Sequence, residues 1–148
     1  MQEILNEFLK NYGLVEVAGK DSNPEILAMF AELGYDWVQD DSTTAWCSAA
    51  LNFFCKKLGY ERSHALDARS WLKMPIQVLK PSLGDIVVLW RESKQSWKGH
   101  VGLYISEDKA RKRIYILGAN QKDMISISSY PSEKVLGYRQ VKKLENNG

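Results

Sequence analysis

Pro75 separates two hydrophobic rhythms, and that change of period limits the folds open to this chain more than any other feature. Before it, apolar residues recur every three or four positions, the spacing of a helix face. Ile4, Leu5, Phe8, Leu9 and Tyr12 form one stripe ended by Gly13. After a linker, Asn23-Pro24 reads as an N-cap and first-turn proline, with Ile26, Leu27, Met29, Phe30 and Leu33 behind it and Gly34 as the stop. A third helix begins at Trp46 or Cys47 and runs to Leu58, stopped by Gly59, and a shorter one covers Ala65 to Leu72. After Pro75, short apolar or alternating runs read as strands: Ile86–Trp90, His100–Ile105, Arg113–Leu117, Ile125–Ser128 and Leu136–Val141, with turn residues between them. Helices first and an antiparallel meander second predict an α+β fold, N-terminal helices packed on a C-terminal antiparallel sheet of about five strands.

Composition excludes several classes of function. The 148 residues suit one domain. Twenty basic against 18 acidic side chains, a net charge of +2, give no reason to expect nucleic acid. No apolar run approaches the roughly 20 residues of a membrane span. The start, Met1 to Glu7, lacks the basic and apolar regions of a signal peptide. The reading is synthesis in the cytoplasm and, if the protein is exported, delivery by another route. Cys47 and Cys55 lie eight residues apart in one helix, roughly 12 Å along its axis, too far for a disulfide. Neither the cysteines nor the two histidines stand at metal-binding spacing, and Cys55, among Phe53, Phe54 and Leu58, reads as core.

Chemistry concentrates at Ala45-Trp46-Cys47-Ser48-Ala49, where the polar loop Asp40 to Thr44 gives way to an apolar helix. The unpaired first amides of a helix favour a thiolate, so Cys47 stands where a nucleophile would; a small buried residue is the plain alternative. A thiolate needs a base, and only His64 and His100 are available. His64 lies in a polar inter-helix turn and reads as solvated. His100 opens an apolar strand, where it can meet the end of a helix packed across the sheet. Leu117-Gly118-Ala119-Asn120-Gln121 reads as a turn after the next strand; an amide there can fix the imidazole tautomer.

In order along the chain stand Trp46-Cys47-Ser48-Ala49, Ala68-Arg69-Ser70-Trp71, Pro81-Ser82-Leu83-Gly84-Asp85-Ile86-Val87-Val88, Gly99-His100-Val101-Gly102-Leu103-Tyr104, Leu117 to Gln121 and Leu136-Gly137-Tyr138-Arg139. Together they resemble the CHAP superfamily of cysteine- and histidine-dependent amidohydrolases and peptidases of bacteria and their phages, over about residues 13–141 of a single domain spanning 1–148. The resemblance implies a papain-like fold and cleavage of amide bonds in peptidoglycan, in the stem peptide or at the sugar–peptide junction. Cys47 matches the nucleophile, His100 the base and Asn120 the third position. Many members carry an acidic residue two positions before that amide, where this chain has Gly118, so orientation falls to Asn120, with Gln121 as a substitute. Asp36, Asp40 and Asp41 do not reproduce the calcium-binding run of some relatives, so no metal and no cofactor are expected.

On this reading His100 takes the thiol proton to give an ion pair, the thiolate attacks the amide carbonyl, and water hydrolyses the thioester. The Cys47 amide donates to the oxyanion. Trp46, Trp97 and Gln121 are the expected substrate contacts, Trp46 equally well a core aromatic, and Arg69 and Asp85 are expected to pair. The use is that of a phage lysin or an antibacterial effector, the latter implying an inhibitor or immunity protein as partner. Two alternatives stand beside it: an inactive wall-binding module of the same fold, and acyl transfer through the same thioester.

Overall fold

The computed structural model describes residues 1–15, 23–35 and 46–145. Three α-helices come first: α1 (Gln2–Lys10), α2 (Pro24–Glu32) and α3 (Cys47–Leu58). A 3-10 helix over Ala68–Lys73 leads into the strands β1 (Ile76–Val78), β2 (Ile86–Trp90), β3 (Gly99–Asp108), β4 (Arg113–Gln121), β5 (Met124–Pro131) and β6 (Val135–Gln140), with a 3-10 turn at Ser132–Lys134. The strands form one sheet in the order β1-β6-β2-β3-β4-β5, every pairing antiparallel. The expected α+β architecture holds, with six strands in place of about five. The addition, β1, is a three-residue, half-buried edge strand between prolines, too short to show alternation.

Local chemistry explains the helix ends. The Asn23 side chain accepts from the Glu25 amide, capping α2 ahead of Pro24. Gly59 ends α3 at φ +79°, a left-handed position that a Cβ disfavours. The first helix stops at Lys10, earlier than its apolar stripe suggests. Beyond it the chain turns to the sheet: the Gly13 amide donates to Ile125 O (2.8 Å) and the Tyr12 hydroxyl accepts from the Ile127 amide. The segment expected as a helix from Ala65 is a 3-10 helix starting only at Ala68.

The helices cover one sheet face. The main core joins Ile4, Phe8, Ile26, Phe30, Trp46, Leu51, Phe54 and Trp71 to Ile86, Val88, Val101 and Leu103. On the opposite face Val87, Leu89, Ile114 and Ile116 pack with Tyr104, Tyr130, Val135 and Tyr138 as a second cluster. Alternation along β2 and β3 sends neighbouring residues to opposite cores, which is why both strands read as continuous apolar runs. Buried Glu7 of α1 receives Lys57 of α3 at 2.6 Å. No helix of the described residues is long and apolar enough to cross a membrane.

Candidate active site

Cys47 is the first residue of α3, and a polar network fixes that end of the helix. Ser48 Oγ donates to Ala65 O (2.7 Å) and accepts from Trp71 Nε1 (2.9 Å). Asn52, one turn on, donates to Ser63 Oγ and accepts from the His64 amide (2.9 Å). These bonds tie α3 to the 61–71 connection, so the cysteine has little positional freedom. The backbone amides of Val101, Ser48 and Cys47 itself all favour a thiolate, and so does the charge of Arg91. Burial outweighs them: Cys47 is 3% exposed, and desolvation pushes its thiol up from the ordinary value.

His100 lies one residue from the Val101 amide that reaches the sulfur, directly across the ladder from Leu89. Its ring is 1% exposed and stands against Tyr130, centroids 5.2 Å apart. Nε2 is 2.8 Å from Gln121 Oε1 and 3.3 Å from the Tyr130 hydroxyl. The orientation of the Gln121 amide is determined by its other end. Gln121 Nε2 donates to the carbonyls of Ile116 and Ser126, and carbonyls only accept. The oxygen therefore faces the imidazole, Nε2 must carry the proton, and the free lone pair sits on Nδ1. That Nδ1 is a buried nitrogen with no hydrogen-bond partner among the described residues, Cys47 included. Burial lowers the His100 pKa to about 4, against the Gln121 bond, which raises it. Burial thus favours a neutral thiol and a neutral imidazole over an ion pair.

The residue on the imidazole is Gln121, the substitute, where the resemblance implied Asn120 first. The expected turn is still strand, and it holds a β-bulge. Gly118 pairs with Ser126 and Gln121 with Met124, leaving Ala119 and Asn120 opposite Ile125 alone. Asn120 takes up the extra residue at φ +59° and is half exposed. In a regular ladder residue 120 would lie across from His100; the bulge displaces it and brings Gln121 onto the His100 face. Gly118 completes the arrangement. A Cβ there would lie 3.0 Å from Gln121 Oε1 and 3.4 Å from Gly102 Cα, so the bare backbone lets the amide lie over it.

The expected substrate contacts divide. Gln121 is 2% exposed and its amide is fully engaged, so it offers nothing to a substrate. Trp46 is wholly buried in the main core. Trp97 alone is open, 72% exposed in the β2–β3 loop. Arg69 does not pair with Asp85. Its guanidinium holds that loop by the carbonyls of Ser93 (2.8 Å), Lys94 (2.7 Å) and Lys98 (2.8 Å), while Asp85 accepts from the Ser82 amide and Gln140. His64 is exposed in its turn. Cys55 is buried and its thiol is pushed up to about 12. Asp36, Asp40 and Asp41 lie outside the described residues, among which no group of three His, Cys, Asp or Glu side chains could hold a metal. Sequence reasoning passed over Tyr130, whose hydroxyl is 3.3 Å from Nε2, and Arg91, whose charge acts on the ring. Neither stands at a motif spacing; only the folded sheet brings them there.

No family profile matches the chain, and no curated protein matches it in sequence. A solved structure from Staphylococcus aureus subsp. aureus Mu50, described as similar to lipoprotein, NLP/P60 family, aligns with a TM-score of 0.54 at 20% identity. The alignment covers 98% of this chain and 41% of that one, so this chain spans about two fifths of that protein's length. The likeness shows a shared α+β fold.

Proposed function

We propose that the protein is a cysteine peptidase or amidase acting on peptidoglycan, with Cys47 as nucleophile, His100 as base and Gln121 as the residue that sets the imidazole tautomer. One observation carries the reading: an amide locked at its nitrogen end leaves His100 Nδ1 as a buried base without a partner among the described residues, on the residue next to the Val101 amide that reaches the sulfur of Cys47. The fold shared with an NLP/P60 protein is compatible with it, and the CHAP-like motifs supply the substrate class.

In the reaction the S–H proton moves from Cys47 to His100 Nδ1 as sulfur attacks the amide carbon. Burial opposes the separated charges at rest, so proton transfer belongs with bond formation. The amides at the start of α3 face the developing oxyanion, where one such donor is worth roughly 3 kcal/mol. Collapse breaks the C–N bond, His100 returns the proton to the leaving amine, and a water deprotonated by the same nitrogen hydrolyses the thioester. Because Cys47 and His100 are 3% and 1% exposed, a polymer reaches them only after covering groups move aside. The same burial favours the second reading, an inactive wall-binding module. Action on the wall as a lysin or an antibacterial effector, and an immunity partner in the effector case, belong to the proposal.

Purified peptidoglycan digested by wild type and by Cys47→Ala decides between them, with products read by mass spectrometry. Stem-peptide or lactoyl-peptide fragments from wild type alone identify the hydrolase and the bond. An intact wall with either protein, both sedimenting with it, identifies the binding module.

A further inference from the structure

Arg91 follows β2 at the start of the β2–β3 loop, and its amide continues the ladder by donating to Lys98 O (3.2 Å). Leu89, two residues before it, pairs with His100. Residues two apart on a strand share a face, so Arg91 stands on the His100 side of the sheet, its diagonal neighbour across the β2–β3 pair. The nearby acid does not satisfy it, because Glu92 is taken by Lys98 (2.8 Å). The half-buried guanidinium has neither an ion pair nor a side-chain hydrogen bond among the described residues. Arg113 and Arg139 also line β-strands of this sheet, and both spend their guanidinium groups on backbone carbonyls. Its charge acts on Cys47, His100 and Tyr130 together.

We propose that Arg91 is a specificity residue that receives a carboxylate lying beside the scissile amide, so that the site prefers acidic acyl groups to their amidated counterparts. This rests on the cysteine-hydrolase reading for its substrate. The chemistry suits it: a planar, always-charged fork with free donors pairs bidentately with a carboxylate, which a neutral amide cannot match. Among the described residues none competes for it.

Alkylation of Cys47 tests the recognition without requiring hydrolysis. Iodoacetate and iodoacetamide both form an S–C bond and release iodide, and they differ in carrying a carboxylate or a neutral amide. Both consume the same thiolate, so the ratio of their rates at Cys47 cancels any change in its pKa. Peptide mapping separates Cys47 from Cys55. The full chain is expected to favour iodoacetate at Cys47 by about tenfold relative to a free thiol, the scale of one charge pair in a partly buried site. Arg91→Gln is expected to bring the ratio to the free-thiol value, and Arg91→Lys, which keeps the charge without the fork, to retain only part of the preference. Equal ratios in wild type and Arg91→Gln overturn the proposal. So does modification of Cys47 by neither reagent, since a site closed to them admits no acidic acyl group. A preference for iodoacetate in a protein that leaves peptidoglycan intact keeps the carboxylate site and removes the hydrolase.

Discussion

Acid should destabilise this protein through one ring. His100 is fully buried with its pKa lowered to about 4, whereas the same side chain in the unfolded chain titrates near 6.5. The sign follows from which state binds the proton. Between those values the unfolded chain is protonated and the folded one is not, so stability present above pH 6.5 is lost as pH falls toward 4. The difference corresponds to about 3 kcal/mol in full, of which about 2 kcal/mol is gone by pH 5. Against a typical domain stability of about 5–15 kcal/mol, that is readily measured. Urea unfolding of wild type and His100→Gln, in reductant at pH 7.5, 6, 5 and 4.5, isolates the effect, because every other titrating group is common to both. The wild-type advantage at pH 7.5 is expected to shrink by about 2 kcal/mol at pH 5. Parallel stability curves would refute the reasoning, and with it the claim that the ring is held neutral in a dry site.

Three further outcomes follow from the geometry. Gln121→Ala is expected to lower peptidoglycan hydrolysis about 100-fold by releasing the tautomer, while Asn120→Ala stays within about threefold; initial rates of wall clearing compare them. Gly118→Ala puts a Cβ 3.0 Å from Gln121 Oε1; crowding of this kind costs about 1 kcal/mol or more, and nitrogen NMR of the His100 ring should show the loss of the fixed Nε2–H form. Trp46→Ala, in the core, should cost about 3–5 kcal/mol in urea unfolding, whereas Trp97→Ala should stay within about 0.5 kcal/mol and act, if at all, on KM.

The sequence carries the helical half of the site openly. The passage from polar loop to apolar run and the glycine at 59 delimit α3, and Cys47 falls at its first position. Strand β2 and the 101–105 stretch of β3 are equally plain, because alternate residues feed two cores and no polar residue interrupts either stretch. What stays hidden lies at the far end of β4. The hairpin there turns on Lys122 and Asp123, both at positive φ, without the Asn-Gly or Asp-Gly signature such turns usually carry. A period-two reading therefore ends the strand early and cannot anticipate the extra residue at Asn120. The fate of Trp46 is hidden for another reason: a tryptophan before a helix serves a groove wall or a core equally well, and only packing decides. Tyr130 meets the imidazole, and Arg91 comes onto its side of the sheet, only through the folded ladder, which no linear spacing records.

The bulge at Asn120 also bears on how relatives of this chain are to be found. In the commonest comparison of sequences, position 118 or 120 falls in the column where an orienting side chain is sought. Here those positions hold a glycine and a half-exposed asparagine, while the amide that meets the His100 ring stands one place further on. A search scored by columns would set this chain aside as degenerate. A search scored by the space around the imidazole would register an amide oxygen there, because a single inserted residue has moved the letter and left the oxygen beside the ring.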